Sequence, residues 1–224
     1  MITEQPWVCL DIGETLIDET RVWTTWAQVL GVTPLVLHAA LGVAVAQGES
    51  HPQALARFDP GWQGRVDDFE TAFGGFIPAD LYPDAVPGLA AFSEAGLAVA
   101  VIGNQPAGRT AELRAIGVQP DVMVMSQELG AAKPDPAFFA AALRAMGSPR
   151  PEDVTYVGDR VDNDVVPAHR AGLRVVHLRR GPWGILGPQD QGQADAVADN
   201  LAEVLAAITS WSSAFRGPPA NPQI

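Results

Sequence analysis

The chain has 224 residues, with 14 Lys and Arg against 26 Asp and Glu, a formal net charge of −12. A 47% hydrophobic content and a single cysteine, Cys9, exclude a disordered segment, a disulfide scaffold and a cysteine-rich zinc site. The acidic balance, with no positive cluster larger than Arg174, Arg179 and Arg180, excludes a nucleic-acid backbone binder.

Five short apolar runs read as buried parallel strands: 7–10, 97–102, 122–125, 154–157 and 173–178. Helical patterns at 107–116, 135–146, 161–171 and 201–208 follow the last four. Strands alternating with helices at this spacing predict a doubly wound, Rossmann-like α/β core with a parallel sheet. The first two strands stand far further apart than one crossover needs. The residues between them predict helices at 18–30, 33–47, 52–58 and 66–76, with Asp18 and Thr33 as N-caps and Pro52, Pro60, Pro78, Pro83 and Pro87 as breaks. This gives a core of 1–16 and 82–208, an inserted α-helical cap domain of 17–81, and a flexible tail of 209–224. No apolar stretch is long enough for a bilayer, the longest being 35–46, and Glu4 and Pro6 interrupt any secretory signal. No membrane partner and a cytoplasmic location are the expectations.

The position of the acids carries chemical information. Asp11 directly follows the first strand, and Asp159 directly follows the fourth, with Asp162 and Asp164 in the same loop. In an open parallel sheet the carboxyl ends of the strands form the ligand crevice, so these carboxylates should converge. Taken singly, each Asp reads equally well as a strand-end turn residue. Taken together they repel one another and call for a cation or a shared proton. An all-oxygen donor set without Cys or His suits Mg²⁺. Lys133, at the entry to the helix after the third strand, could offset the acids and hold an anion. Gly103 and Asn104 end the second strand at the same rim, where the plain reading is an ordinary turn.

These residues together resemble the haloacid dehalogenase (HAD) superfamily, whose members are mostly Mg²⁺-dependent phosphatases. The first family motif looks like Asp11-Ile12-Gly13-Glu14-Thr15, the second falls at Gly103-Asn104, the third is Lys133-Pro134-Asp135-Pro136, and the fourth is Gly158-Asp159 with Asp162 and Asp164 following. The resemblance runs from about Trp7 to Ile208, and the insert sits where that family places a helical cap. It implies a hydrolase acting on a small phosphorylated substrate. Asp11 would be the nucleophile, with Lys133 orienting it and binding the phosphoryl group together with Gly103 and Asn104. Asp11, the carbonyl of Gly13, Asp159 and Asp164 would hold Mg²⁺, and Asp162 would be a loop acid. Opening of the cap would hinge near Ile17 and Leu81.

Two positions depart from the family pattern. The acid/base Asp two residues after the nucleophile is Gly13, and the Ser or Thr of the second motif is Gly103. A positioned acid or base contributes about 10²–10⁴-fold. Weak or altered turnover is therefore one expectation, with Glu14 as a substitute acid whose side chain should point away from Asp11. A preference for substrates with good leaving groups is another. A non-catalytic protein that binds a phosphorylated ligand or partner is the alternative in a different class. Dehalogenation would leave Asp159 and Asp164 unexplained. In the cap, Trp23 and Trp26 share a helix face at i, i+3 spacing and read as packing. Arg179 and Arg180 read as surface charge.

Overall fold

The computed structural model describes residues 5–188, 190 and 192–215. Six strands form one all-parallel sheet: β1 Trp7–Leu10, β2 Ala98–Gly103, β3 Val122–Met125, β4 Val154–Gly158, β5 Arg174–Leu178 and β6 Ala196–Ala198. Their order is β3-β2-β1-β4-β5-β6, that of a doubly wound sheet, with β1 at its centre. Strand β1 is apolar throughout because both its faces are covered. Val8 and Leu10 pack into one hydrophobic cluster with Val99, Val101 and Val157, whereas Cys9 packs into a second with Ala100, Ile102 and Tyr156. The period-two alternation thus divides one strand between two cores.

Between β1 and β2 lie the helices Thr20–Leu30, Pro34–Ala46, His51–Ala56 and Val66–Phe73, with short 3₁₀ turns at Trp62–Arg65 and Pro78–Asp80. The chain leaves and re-enters at adjacent points. Ile17 bridges Leu81, the Asp18 N–H donates to the Asp80 carbonyl at 2.8 Å, and the Tyr82 N–H donates to the Leu16 carbonyl at 2.9 Å. The two positions expected as hinges are therefore paired with each other. Arg21 reinforces the crossing: its guanidinium bonds both carboxylate oxygens of Asp80 and the carbonyls of Phe73 and Gly75. Burial alone would raise the Asp80 carboxyl, but the Arg21 bonds outweigh it and hold Asp80 below the usual carboxylate range. On the far side, Arg109 bonds both oxygens of Glu70, joining the Val66–Phe73 helix to the helix Arg109–Ala115 that follows β2.

Several details differ from the sequence expectation. Pro52, Pro78 and Pro87 stand in the first turns of His51–Ala56, Pro78–Asp80 and Ala85–Glu94. They start elements rather than break them, since the first turn needs no N–H from proline. The segment expected as one helix at 161–171 is a π-helical turn, Val161–Val165, leading into Val166–Arg170. The last helix runs Leu201–Phe215, so the stretch expected as a tail begins as helix; 216–224 lie outside the described residues. Among the described residues no single helix is long and apolar enough to cross a membrane.

Candidate active site

The strand register brings the acids together. Leu10 at the end of β1 pairs with Val101 on one side and Val157 on the other. Asp11 therefore emerges between the ends of β2 and β4, and its N–H donates to the Val157 carbonyl at 2.9 Å. Asp159 leaves β4 beside it. Asp164 returns to the same point because the π-helical turn folds it back under Gly158. A Cβ at Gly158 would lie 2.5 Å from Asp164 Cγ, so only glycine allows this approach.

Lys133 arrives from the loop before the helix Pro136–Ala145. Its Nζ stands 2.7 Å from Asp11 Oδ1 and 2.6 Å from Asp164 Oδ1, and its side chain is 1% exposed. The backbone of Lys133 is fixed by the amide of Asn104, whose Oδ1 accepts from the Lys133 N–H at 2.8 Å while its Nδ2 donates to the Lys133 carbonyl at 2.9 Å. Asn104, expected on the phosphoryl group, lines the same cavity as Asp11, and each end of its amide also positions Lys133. Asp164 also accepts from the Tyr156 hydroxyl at 3.2 Å and the Arg160 N–H at 3.1 Å. The Asp159 carbonyl lies 3.0 Å from His177 Nε2, which must carry the proton because a carbonyl only accepts.

One carboxylate oxygen each from Asp11, Asp159 and Asp164 lie within 4.8 Å of one another, and all three residues are buried. Burial pushes the Asp11 carboxyl up to about 6 against the pull of the Lys133 ammonium, with Asp164 adding to the rise. Burial, then the charges of Asp164 and Asp11, raise Asp159 well above the usual range. Lys133 is driven upward despite its burial by the two carboxylates it touches. Three acids around one ammonium leave negative charge uncompensated, and their hard oxygen donors suit a divalent cation such as Mg²⁺. Gly13, expected to add its carbonyl, lines the same cavity as Asp11 and Asp159.

Both glycines that replace family side chains have close neighbours. A Cβ at Gly103 would lie 2.8 Å from Asp11 Oδ1 and 2.9 Å from Ile12 Cδ1. A Cβ at Gly13 would lie 2.4 Å from Glu19 Oε1. Glu14 does turn away from Asp11: it takes the left-handed conformation at φ 49°, its Oε2 accepts from the Tyr82 hydroxyl, and its Oε1 accepts from the Glu19 N–H. Burial pushes the Glu19 carboxyl up to about 8, helped by the charges of Glu14 and Asp11.

A cavity of about 510 Å³ opens over Asp11. Its outer wall is aromatic. The Trp23 ring lies 5.9 Å from His51 and 6.3 Å from Trp183, and Arg160 lies 4.9 Å from the Trp183 ring centre. Trp26, one turn along, stacks on Phe69 at 4.5 Å. Both fill the expected packing role, and both also line the cavity. Asp162, expected as a loop acid, is an exposed residue of the π-helical turn, paired with Arg160 at 2.7 Å. The pair expected as surface charge divides. Arg179 is exposed and bonds Asp199, whereas Arg180 is buried, donating to the Thr15 carbonyl and to Asp84.

Sequence reasoning placed Glu19 only at the entry to the insert, among residues that could bear on the substrate, and gave no role to Arg160, Tyr156 or Trp183. An acid opening the first helix of the insert, six residues past a side-chain-less Gly13, was the available signal for Glu19. Trp183, some twenty residues beyond the last recognised motif, had none.

Comparison with known proteins follows the same lines. Residues 6–172 match the profile of the haloacid dehalogenase-like hydrolases. The chain is 35% identical over 128 residues to a glyceraldehyde 3-phosphate phosphatase of Methanopyrus kandleri, covering 55% of this chain and 54% of that protein. It is 37% identical over 131 residues to a phosphoserine phosphatase of Thermus thermophilus, covering 57% and 51%. The chain thus spans about half the length of the curated relatives it matches. Among solved structures, a predicted phosphoglycolate phosphatase from Haemophilus somnus superposes with a TM-score of 0.70 at 23% identity, over 93% of this chain and 100% of that one. A 2-haloacid dehalogenase from Pseudomonas syringae superposes with a TM-score of 0.58 at 20% identity, over 92% and 99%. At these identities the structural likeness shows the fold.

Proposed function

The chain belongs to the haloacid dehalogenase-like hydrolase family, and from that premise we propose that it is a phosphatase of small phosphorylated metabolites, working through an aspartyl-phosphate on Asp11. The observation that carries this reading is the Asp11 carboxylate lining the cavity, 2.7 Å from Lys133 Nζ and clustered with Asp159 and Asp164. Named relatives that hydrolyse phosphoesters lend support.

In this reading the free carboxylate oxygen of Asp11 attacks phosphorus and the bond to the leaving oxygen breaks. Lys133 holds Asp11 in line through Oδ1, and the entering phosphoryl group gives its ammonium a third anion to bind beside Asp11 and Asp164. Asn104 keeps Lys133 in place through the reciprocal amide bonds. Asp11, Asp159 and Asp164, with the Gly13 carbonyl, would hold Mg²⁺, which when bound offsets the repulsion between Asp11 and the phosphoryl oxygens. The aromatic wall and Arg160 exclude water and contact the non-phosphate part of the substrate. The cavity accommodates a small metabolite; the acidic surface gives nothing for a nucleic acid to bind.

The test is phosphate release over a panel of phospho-metabolites with Mg²⁺, wild type against Asp11→Asn. Turnover lost in the variant is the expected result. Absence of Asp11-dependent turnover on every ester and acyl phosphate would end the hydrolase reading and favour the phospho-ligand binder.

A further inference from the structure

The space beside Gly13 is occupied. A Cβ at Gly13 would lie 2.4 Å from Glu19 Oε1 and 2.9 Å from its Cδ. The Glu19 carboxyl therefore stands where a side chain two residues beyond Asp11 would begin, and it lines the same cavity as Asp11. The placement is built. The Glu19 N–H donates to Glu14 Oε1 at 3.2 Å, and Glu14 is in turn anchored through its other oxygen by the Tyr82 hydroxyl. Glu14 is thereby committed through both oxygens to holding the first turn of the helix Thr20–Leu30 against the loop after β1. Gly13 is what lets that turn come so close.

We propose that Glu19 is the general acid and base of the Asp11 reaction, supplying from the insert the carboxyl that Gly13 lacks. The proposal rests on the phosphatase reading. In the first step an Asp11 oxygen forms a bond to phosphorus, the phosphorus–oxygen bond to the leaving group breaks, and the Glu19 proton passes to that oxygen. In the second step water attacks phosphorus, its proton passes to the Glu19 carboxylate, and the Asp11–phosphorus bond breaks. Phosphate is released, and both carboxyl groups return to their starting states. The sum consumes one phosphate monoester and one water and yields one alcohol and one phosphate. An acid on a core loop would stay fixed when the insert moves. Glu19 opens the first insert helix, so any displacement of that helix carries the proton donor with it.

Glu19→Gln keeps the shape and removes the acid. On an alkyl phosphate ester, whose leaving group needs a proton, its turnover should fall about 10²–10⁴-fold. On p-nitrophenyl phosphate, whose leaving group does not, the first step should persist and the second should stall. The variant should then release a stoichiometric burst of nitrophenol followed by slow turnover, with phosphate trapped on Asp11. A merely structural role would slow both substrates alike without a burst. The second variant, Gly13→Asp combined with Glu19→Ala, moves the carboxyl to the core loop and should recover alkyl-ester turnover relative to Glu19→Ala alone. If wild-type turnover depends on Asp11 while Glu19→Gln matches wild type on both substrates, Glu19 is not the acid and the phosphatase reading survives. If Glu19→Gln is slowed without a burst and the double variant recovers nothing, the proposal is likewise overturned. If wild type shows no Asp11-dependent turnover, both readings fail together.

Discussion

At Gly13 and Gly103 the departures from the family pattern are matched by neighbouring side chains. Glu19 fills the first space and Asp11 abuts the second, so restoring either family residue alone creates a collision. Gly13→Asp by itself forces the Glu19 carboxyl, the far end of a flexible side chain, to swing aside, at a cost of about 0.5–1.5 kcal/mol for a displaced rotamer. The variant should melt at a lower temperature than wild type and gain no activity, and adding Glu19→Ala should recover the loss. A Gly13→Asp protein as stable as wild type would show that the Glu19 side chain is free to leave. Lys133 presents the opposite case. It is the one ammonium touching both Asp11 and Asp164, and breaking a buried pair strands its partners at a cost of about 3–5 kcal/mol. Lys133→Met should destabilise the metal-free protein by about that amount in urea titration, and Lys133→Met combined with Asp164→Asn should lose less. The sequence made Asp11, Lys133, Asp159 and Asp164 legible because each directly follows a strand end or sits in a dense motif. It hid Glu19 and Arg160, whose importance depends on how the loop after β1 turns back and on where the insert lies.

At the scale of elements, the parallel strands could be read because burial on both faces leaves an unbroken apolar run. Strand β6, at the sheet edge with three residues and only Ala198 buried, leaves no such run. Helix Ala85–Glu94 was hidden by Pro87, which looks like a break but lies in the first turn. The attachment of the insert could not be read at all, since it depends on side chains from distant segments. Arg21 with Asp80 secures the crossing point and Arg109 with Glu70 the far end. Asp80 is 5% exposed at its side chain, so this pair bears on acid stability. Its folded carboxyl lies below the ordinary value. The pair's contribution is therefore complete above the ordinary Asp range and is lost as pH falls through the folded value. Arg21→Met removes the bonds that lower Asp80, so its acid-unfolding midpoint should move to higher pH than wild type. Equal midpoints would mean that Asp80 draws its stabilisation from elsewhere. The Arg109 pair is more exposed on the Glu70 side, at 40%, and solvent screens it. Arg109→Ala should cost about 1 kcal/mol in global stability and show mainly as faster amide exchange in the helix Val66–Phe73.

For the whole molecule the net charge of −12 is less informative than its uneven distribution, because acids lining the cavity are the ones forced upward. Asp11 is raised to about 6, Asp159 is raised well above its usual range, and Glu19 is raised to about 8. Between the ordinary carboxylate range and these values the metal-free folded state holds more protons than the unfolded chain. Stability must then fall as pH rises across that interval, the reverse of the trend set by Asp80 at lower pH. A divalent cation in the proposed site binds the ionised carboxylates and so displaces those protons. Mg²⁺ should therefore bind more tightly at pH 8 than at pH 6. Its stabilising increment, about 2.7 kcal/mol at a hundredfold excess over Kd, should be reached at a lower concentration at the higher pH. Melting temperature measured against Mg²⁺ concentration at the two pH values tests this directly. Asp159→Asn supplies the control: it removes one proposed cation ligand and one raised carboxyl, so it should both flatten the metal-free pH slope and weaken the Mg²⁺ response. A wild-type response that is independent of pH, or that survives unchanged in Asp159→Asn, would place the cation away from the ends of β1 and β4.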